Sequence, residues 1–384
     1  MINGIEIFSG AGGLATGLGI AGIHHTAFVE WNNDACRTLR KNYEPSIVNH
    51  CDIRSFDFTK FSEIDFIAGG PPCQPFSLGG LAKGVDDERD MFPQAIRSIR
   101  ELCPRAFVFE NVKGLLRESF RDYLTYILEQ LRYPEITYTG DNWREHYRHI
   151  EQHKNHYTGL EYNVNLTLVN AADYGIPQKR ERIIIVGIRK DLNIEWDFPI
   201  KTHSSDALNW SKYVTGEYWE RHNILPTNAE YAEFSKYKYA LELKYGMFPP
   251  TEKPWQTVRD ALLNMPEHKS DSYYPHEHII REGAREYPGH TGSLIDEPSK
   301  TIKAGGHGVP GGENMIKFQD GSVRYYTIFE AKRIQTFPDD YEIVGSWGEA
   351  MRQIGNAVPV ELARIIGESI VRKVFSNTYI HNLY

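Results

Sequence analysis

Along the first 110 residues, short apolar runs end on glycine, proline or a carboxylate and give way to helix-patterned sequence. Ile5–Phe8 runs into Ser-Gly-Ala-Gly-Gly, with a helix pattern lasting to about Ala21. A second run ends at Val29-Glu30, and Asp34–Asn42 reads as helix. Ile47–Val48 and Asp65–Ala68 read as strands, the latter entering Gly-Gly-Pro-Pro. Met91–Leu102 follows as helix, Ala106–Phe109 as a buried strand ending at Glu110, Leu115–Leu131 as helix and Ile183–Ile188 as a further strand. Strands separated by helices predict βαβ units: an α/β, Rossmann-like fold with a mainly parallel sheet and helices on both faces. Open sheets of this kind bind ligands beyond the carboxyl ends of their strands.

Residues 191–295 alternate poorly and are rich in Tyr, Trp, His and Pro, with a helical stretch at Ala229–Lys244. This shift predicts a smaller second domain inserted late in the chain. Helix patterns return at Thr327–Thr336 and Val360–Phe375. The 384 residues are 41% hydrophobic and 24% charged, ample for a core. No apolar run approaches the ~20 residues that span a bilayer, and the amino-terminal residues lack the pattern of a signal peptide. The four cysteines, Cys36, Cys51, Cys73 and Cys103, show neither metal-ligand spacing nor a disulfide framework, which fits a reducing cytoplasm. The formal net charge is -8, so any nucleic-acid surface has to be a local basic stripe on an acidic body.

Three strand ends carry candidate chemistry. The turn FSGAGG precedes Glu30, which lies 20 residues after Gly10 and suits ribose hydroxyls. The spacing is not that of a dinucleotide site, and few cations lie nearby for a pyrophosphate; a nucleoside without phosphates, such as S-adenosylmethionine, fits better than a ligand-free turn. In DFIAGGPPCQPFS, two prolines fix the backbone before Cys73, whose loop position suits a nucleophile rather than an inert thiol. Cys36, Cys51 and Cys103 lack such a setting and are expected to be inert. Glu110 ends the strand AFVFENV and is placed to handle a proton at the same edge; a helix-cap or salt-bridge role is equally open to it.

Taken in order, FSGAGG, FVEW, CDI, GGPPCQPFS, FENV, YGIPQKRERI and RQIGNAVPV resemble the motifs of the DNA cytosine-5 methyltransferases. The likeness covers residues 4 to about 190 and about 298 to 374. It implies a class I methyltransferase fold, with 1–190 and 298–384 as the catalytic, S-adenosylmethionine-binding domain and 191–297 as a target-recognition domain. It implies that Cys73 adds to cytosine carbon 6 and that Glu110 bonds ring N3 and the exocyclic amine. Of Arg180 and Arg182, Arg182 would meet the base at O2, while Arg180 holds the Pro-Cys loop or backbone. For the cofactor it implies Phe8 and Trp31 at the adenine, Gly10, Gly12, Gly13 and Leu14 along the methionine arm, and Glu30 at the ribose. Asp52 would take the adenine amine beside Ile53, Pro72 closes the site, and Asn356, Ala357 and Val358 complete it. Phe337 is a weaker addition.

Carbon 6 is hidden inside a duplex, so the base has to be flipped out. The resemblance implies a catalytic loop at about Ser77–Asp90, with Ser77, Lys83 and Arg89 at the DNA, and Thr301 near the flipped nucleotide's phosphate. His276, Glu277, His278 and His290 lack the H-E-x-x-H spacing and read as surface rather than as a metal site. The first motif starts at residue 5, leaving no room before it for a regulator or targeting region. The expectation is therefore a prokaryotic or phage-type, cytoplasmic, monomeric enzyme acting on double-stranded DNA, with a cognate restriction endonuclease that forms no stable complex with it. Three other readings compete. A tRNA methyltransferase of the same fold would carry a Cys-Phe-Thr signature, absent here. A silent DNA-binding protein would not need Cys73, Glu110 and Arg182 together. A thiol hydrolase would need a histidine motif beside Cys73.

Overall fold

The strands that read as continuous apolar runs form the centre of one sheet, as expected where both faces are covered. In the computed structural model, residues 1–72, 90–140, 142–265, 277–304 and 314–376 are described. The chain divides into two compact units, Met1–Val169 with Glu181–Pro199 and Val360–Tyr384, and Asn170–Arg180 with Ile200–Pro359. These units and the expected functional domains are different cuts: residues 298–359 pack within unit 2, and 191–199 within unit 1.

Unit 1 holds β1 (Ile2–Ile7), α1 (Gly13–Ile20), β2 (Ile23–Glu30), α2 (Asn33–Asn42), β3 (Val48–His50), β4 (Phe66–Gly69), α3 (Phe92–Leu102), β5 (Ala106–Val112), α4 (Arg121–Arg132), α5 (Trp143–His153), β6 (Tyr162–Asn170) and β7 (Glu181–Arg189). The sheet order is β3-β2-β1-β4-β5-β7-β6. Strands β1 to β5 pair in parallel, and β7 runs antiparallel to β5. The order reverses between β1 and β4, which is the switch point where a ligand crevice forms.

Register brings the strand ends level. Asn49, Val29, Ile7, Gly69, Phe109 and Ile185 lie opposite one another in successive strands and make a single rung. Side chains on one face, including Ile7, Val29, Ile67 and Phe109, join a core with Phe92 and Ile96 of α3, Ile127 of α4 and Ile150 of α5. Phe28 on the other face packs with Ala15 of α1 and Cys36 and Leu39 of α2.

The helix Val360–Ile370 packs on α1 rather than directly on the first strand, because Gly17 lets the two backbones approach. A Cβ at Gly17 would sit 2.3 Å from the Val360 carbonyl and 2.4 Å from the Ala363 Cβ. Gly17→Ala is expected to destabilise unit 1 by about 1–3 kcal/mol, the usual cost of overpacking. Urea denaturation would register this as a lowered midpoint, and an unchanged midpoint would refute this packing.

Three elements depart from expectation. The helix expected from Leu115 begins at Arg121, because two short 3-10 turns, Lys113–Leu116 and Glu118–Phe120, occupy the residues after Gly114. Helix α5 and strand β6 were not expected. In unit 2, the residues with poor alternation fold as helices Ser205–Tyr213, Glu217–His222 and Asn228–Tyr245 around Leu208, Tyr218 and Trp219. The last of these helices starts with a reciprocal capping box between Thr227 and Glu230. The unit also holds a two-stranded sheet (His203–Ser204, Lys253–Pro254), a short helix Val258–Ala261, a three-stranded sheet (Ser293–Leu294, Met315–Lys317, Val323–Tyr325) and helices Ile328–Ile334 and Trp347–Asn356.

Candidate active site

One residue past the rung at the carboxyl edge of β2, β1, β4 and β5 stand Glu30, Phe8, Gly70 and Glu110. The turn after β1 requires left-handed backbone: Phe8, Gly10 and Gly12 have φ of 54°, 52° and 79°. Glycine takes this conformation without the strain that Phe8 bears. Phe8 packs part-buried against the core. Gly13 and Leu14 begin α1 and are buried.

Glu30 is buried, and main-chain amides orient its carboxylate. Gly10 N donates to Oε2 at 2.8 Å, while Trp31 N and Asn32 N donate to Oε1 at 3.0 and 2.8 Å. Oε2 therefore keeps capacity for another donor. At Gly10 the place of a Cβ is open, with no atom within 4 Å. The turn 8–15 contains no lysine or arginine. A buried carboxylate with spare capacity, an open glycine turn and no phosphate-binding cations fit the nucleoside end of S-adenosylmethionine.

Trp31 is exposed, and its carbonyl lies 3.0 Å from His50 Nε2. Ile53 is buried. Asp52 caps the turn Ile53–Ser55, and Arg54 grips its carboxylate at 2.6–3.1 Å. Hydrogen bonds from Arg54 hold the Asp52 carboxyl below its usual range. An adenine amine would share that carboxylate with Arg54.

At β5 and β7 the antiparallel register sets Val112 opposite Arg182 and Glu110 opposite Ile184. Glu110 and Arg182 are thus diagonal neighbours on one face. Arg182 Nε lies 2.7 Å from Glu110 Oε1, with both side chains little exposed. The contact is an ion pair without a donor aligned on the oxygen: Oε1 is buried and accepts no hydrogen bond among the described residues. Asn111, not among the expected site residues, ties this strand end to the next. Its Nδ2 donates to the Pro71 carbonyl at 3.0 Å. Pro72 is exposed, and its carbonyl accepts from Met91 N at 3.2 Å. A buried amide inside Glu-Asn-Val, beside a Pro-Pro turn, was the available signal. Cys73, Ser77, Lys83 and Arg89 lie outside the described residues.

Arg180 and Arg182 part company. Residues two apart share a face of a strand, so alternation alone cannot separate them. Here β7 begins at Glu181, which leaves Arg180 outside it, in unit 2. Arg180 is fully buried and donates to the carbonyls of Gly355 and Ala357 at 2.9 Å. It braces the backbone around Asn356, which is exposed, with Ala357 and Val358 buried. Thr301 Oγ1 donates to the Lys179 carbonyl at 2.8 Å. Phe337 is buried against Tyr341. Glu277 pairs with buried Lys332 at 2.6 Å and accepts from Ile343 N, which gives it a structural role. Cys36 is buried and donates to the Glu30 carbonyl, and burial pushes its pKa up to about 12.

The sheet order, the reversed seventh strand and the carboxylates at the carboxyl edge are those of a Rossmann-like methyltransferase. A family model for C-5 cytosine-specific DNA methylase matches residues 2–140 and 142–372. The chain belongs to the C-5 cytosine-specific DNA methylases, enzymes that use S-adenosylmethionine. It is 33% identical over 382 residues to the type II methyltransferase M.PspPI of Psychrobacter sp. (strain TA137), covering 96% of this chain and 78% of that one. It is 30% identical over 383 residues to the type II methyltransferase M.NgoMIV of Neisseria gonorrhoeae, covering 96% of each. The fold is shared with the S. pombe Dnmt2 methyltransferase at a TM-score of 0.57 and 16% identity, covering 97% of this chain and 99% of that one. No helix among the described residues is long and apolar enough to cross a membrane.

Proposed function

We propose that this methyltransferase modifies carbon 5 of a flipped-out cytosine within a specific double-stranded DNA sequence, by a covalent route through Cys73, as the modification partner in a type II restriction system. The little-exposed Glu110 carboxylate, ion-paired with Arg182 at the strand end, carries the reading. A carboxylate oxygen held by an ion pair keeps lone-pair capacity for a further donor, and the exocyclic amine of a flipped cytosine would supply one. Relatives named type II methyltransferases support the restriction role.

In this reading the Cys73 thiolate forms a bond to carbon 6, and the carbon 5–carbon 6 π pair moves to make carbon 5 nucleophilic. Glu110 shares a proton with ring N3, and Arg182 faces the carbonyl oxygen O2. When bound, S-adenosylmethionine would supply a sulfonium methyl group for carbon 5 to accept, with S-adenosylhomocysteine as the leaving thioether. Loss of the carbon 5 proton to water then lets the carbon 5–hydrogen bonding pair re-form the double bond and expel the Cys73 thiolate. Glu30, Phe8, Trp31, Gly10, Gly12, Gly13, Leu14, Asp52, Ile53 and Pro72 would hold the cofactor, together with Asn356, Ala357 and Val358. Residues 191–297 would supply target recognition, and Thr301, with Ser77, Lys83 and Arg89, would contact the nucleic acid.

The test is transfer of a labelled methyl group to duplex DNA and, separately, to tRNA, followed by sequencing of methylated cytosines. Labelled DNA with one recurrent sequence context is expected. Labelled tRNA with unlabelled DNA would overturn the substrate assignment.

A further inference from the structure

Most described cations of unit 2 are spent on carboxylates. Lys201, Arg221, Lys244, Arg259, Arg324 and Arg333 each sit on an aspartate or glutamate. The stretch Arg281–Lys300 differs. Arg281, Arg285 and Lys300 are exposed, and none has a carboxylate within ion-pair distance among the described residues. The acidic residues nearby are mostly committed: Glu286 to Lys317, Asp296 to Arg259 and Glu297 to Lys212, leaving Glu282.

The three exposed cations flank a braced turn, Arg281 and Arg285 before it and Lys300 after it. Tyr287-Pro288-Gly289-His290 forms a tight turn, closed by backbone bonds of 3.3 and 2.8 Å between Tyr287 and His290. Gly289 has φ 84°, which suits the third position of a type II turn after proline. Glu286 is anchored to Lys317 at 2.9 Å on one side, and Thr291 accepts from Lys300 Nζ at 2.8 Å on the other. The Arg281 guanidinium lies 5.2 Å from the centre of the Trp347 ring, a stacking contact that can leave its edge donors free.

We propose that Arg281, Arg285 and Lys300 form the surface on which unit 2 meets the phosphate backbone of duplex DNA. This is the local basic stripe that a chain of net charge -8 needs. Cations already neutralised by carboxylates release no counterions on binding; uncommitted ones do. The inference rests on the assignment of duplex DNA as substrate.

The test measures binding of the full chain to its methylatable duplex at several salt concentrations. Arg281→Ala, Arg285→Ala and Lys300→Ala should each lower the magnitude of the salt slope by about 0.9, which is about 3-fold in affinity over a fourfold salt range. Thermal melting should show each variant folded. Lys253→Ala, which removes an exposed cation also without a carboxylate in range, is the control and should leave the slope unchanged. Unchanged slopes in the three variants overturn the surface, as does an equal fall in the Lys253 variant, since net charge alone would then explain the effect. If the unaltered chain binds no duplex, the substrate assignment fails instead.

Discussion

Cys73→Ser is expected to abolish methyl transfer to DNA, by about 10⁴-fold or more, the scale seen when a nucleophile is removed. The hydroxyl is a far weaker nucleophile than a thiolate, and no other cysteine replaces it. Cys36 is buried with its pKa raised, and burial also pushes up the Cys51 and Cys103 thiols. A duplex carrying 5-fluorocytosine separates this from a folding defect, because fluorine cannot leave carbon 5 as a proton does. The unaltered chain should stay covalently attached to it. The serine variant should not, while still binding S-adenosylmethionine by calorimetry. Persistent attachment in that variant would place the nucleophile elsewhere.

Glu110→Gln should lower turnover by about 10²–10⁴-fold, the range for a group that moves a proton in the transition state. The amide keeps the size of the side chain but forfeits the charge facing Arg182 across 2.7 Å. Duplex affinity should change by only a few fold, because the phosphate contacts that dominate it are untouched. Single-turnover rates beside binding isotherms make the distinction. A variant that turns over normally would remove Glu110 from the reacting base.

Strands β1, β2, β4, β5 and β7 were legible because burial on both faces leaves apolar runs such as Ile183–Ile188. Strand β6 escaped because it lies at the sheet edge with Asn163, Asn165 and Thr167 among its residues and much of its length part-exposed. Helix α5 escaped because it buries only Ile150 and is otherwise charged and histidine-rich. Glu30 and Glu110 could be named in advance, since a carboxylate ending an apolar strand is conspicuous. The destination of Arg180 could not, because its acceptor carbonyls lie about 175 residues further along the chain. The uncommitted cations of the 281–300 stretch were also invisible, because pairing depends on which carboxylates fold beside each one.

The rung through Asn49, Val29, Ile7, Gly69, Phe109 and Ile185 makes error at this site a matter of whole steps. Paired strands slide past one another only by complete residues, each about 3.3 Å, and every odd step turns the side chains to the opposite face. A slip of one residue in β5 would put Asn111 where Glu110 stands and turn the carboxylate away. A smaller disturbance, such as a trimmed core side chain, has no fractional register to settle into. The spacing between Glu30 and Glu110 is therefore kept digitally, by counting residues, rather than by the precision of the packing around them.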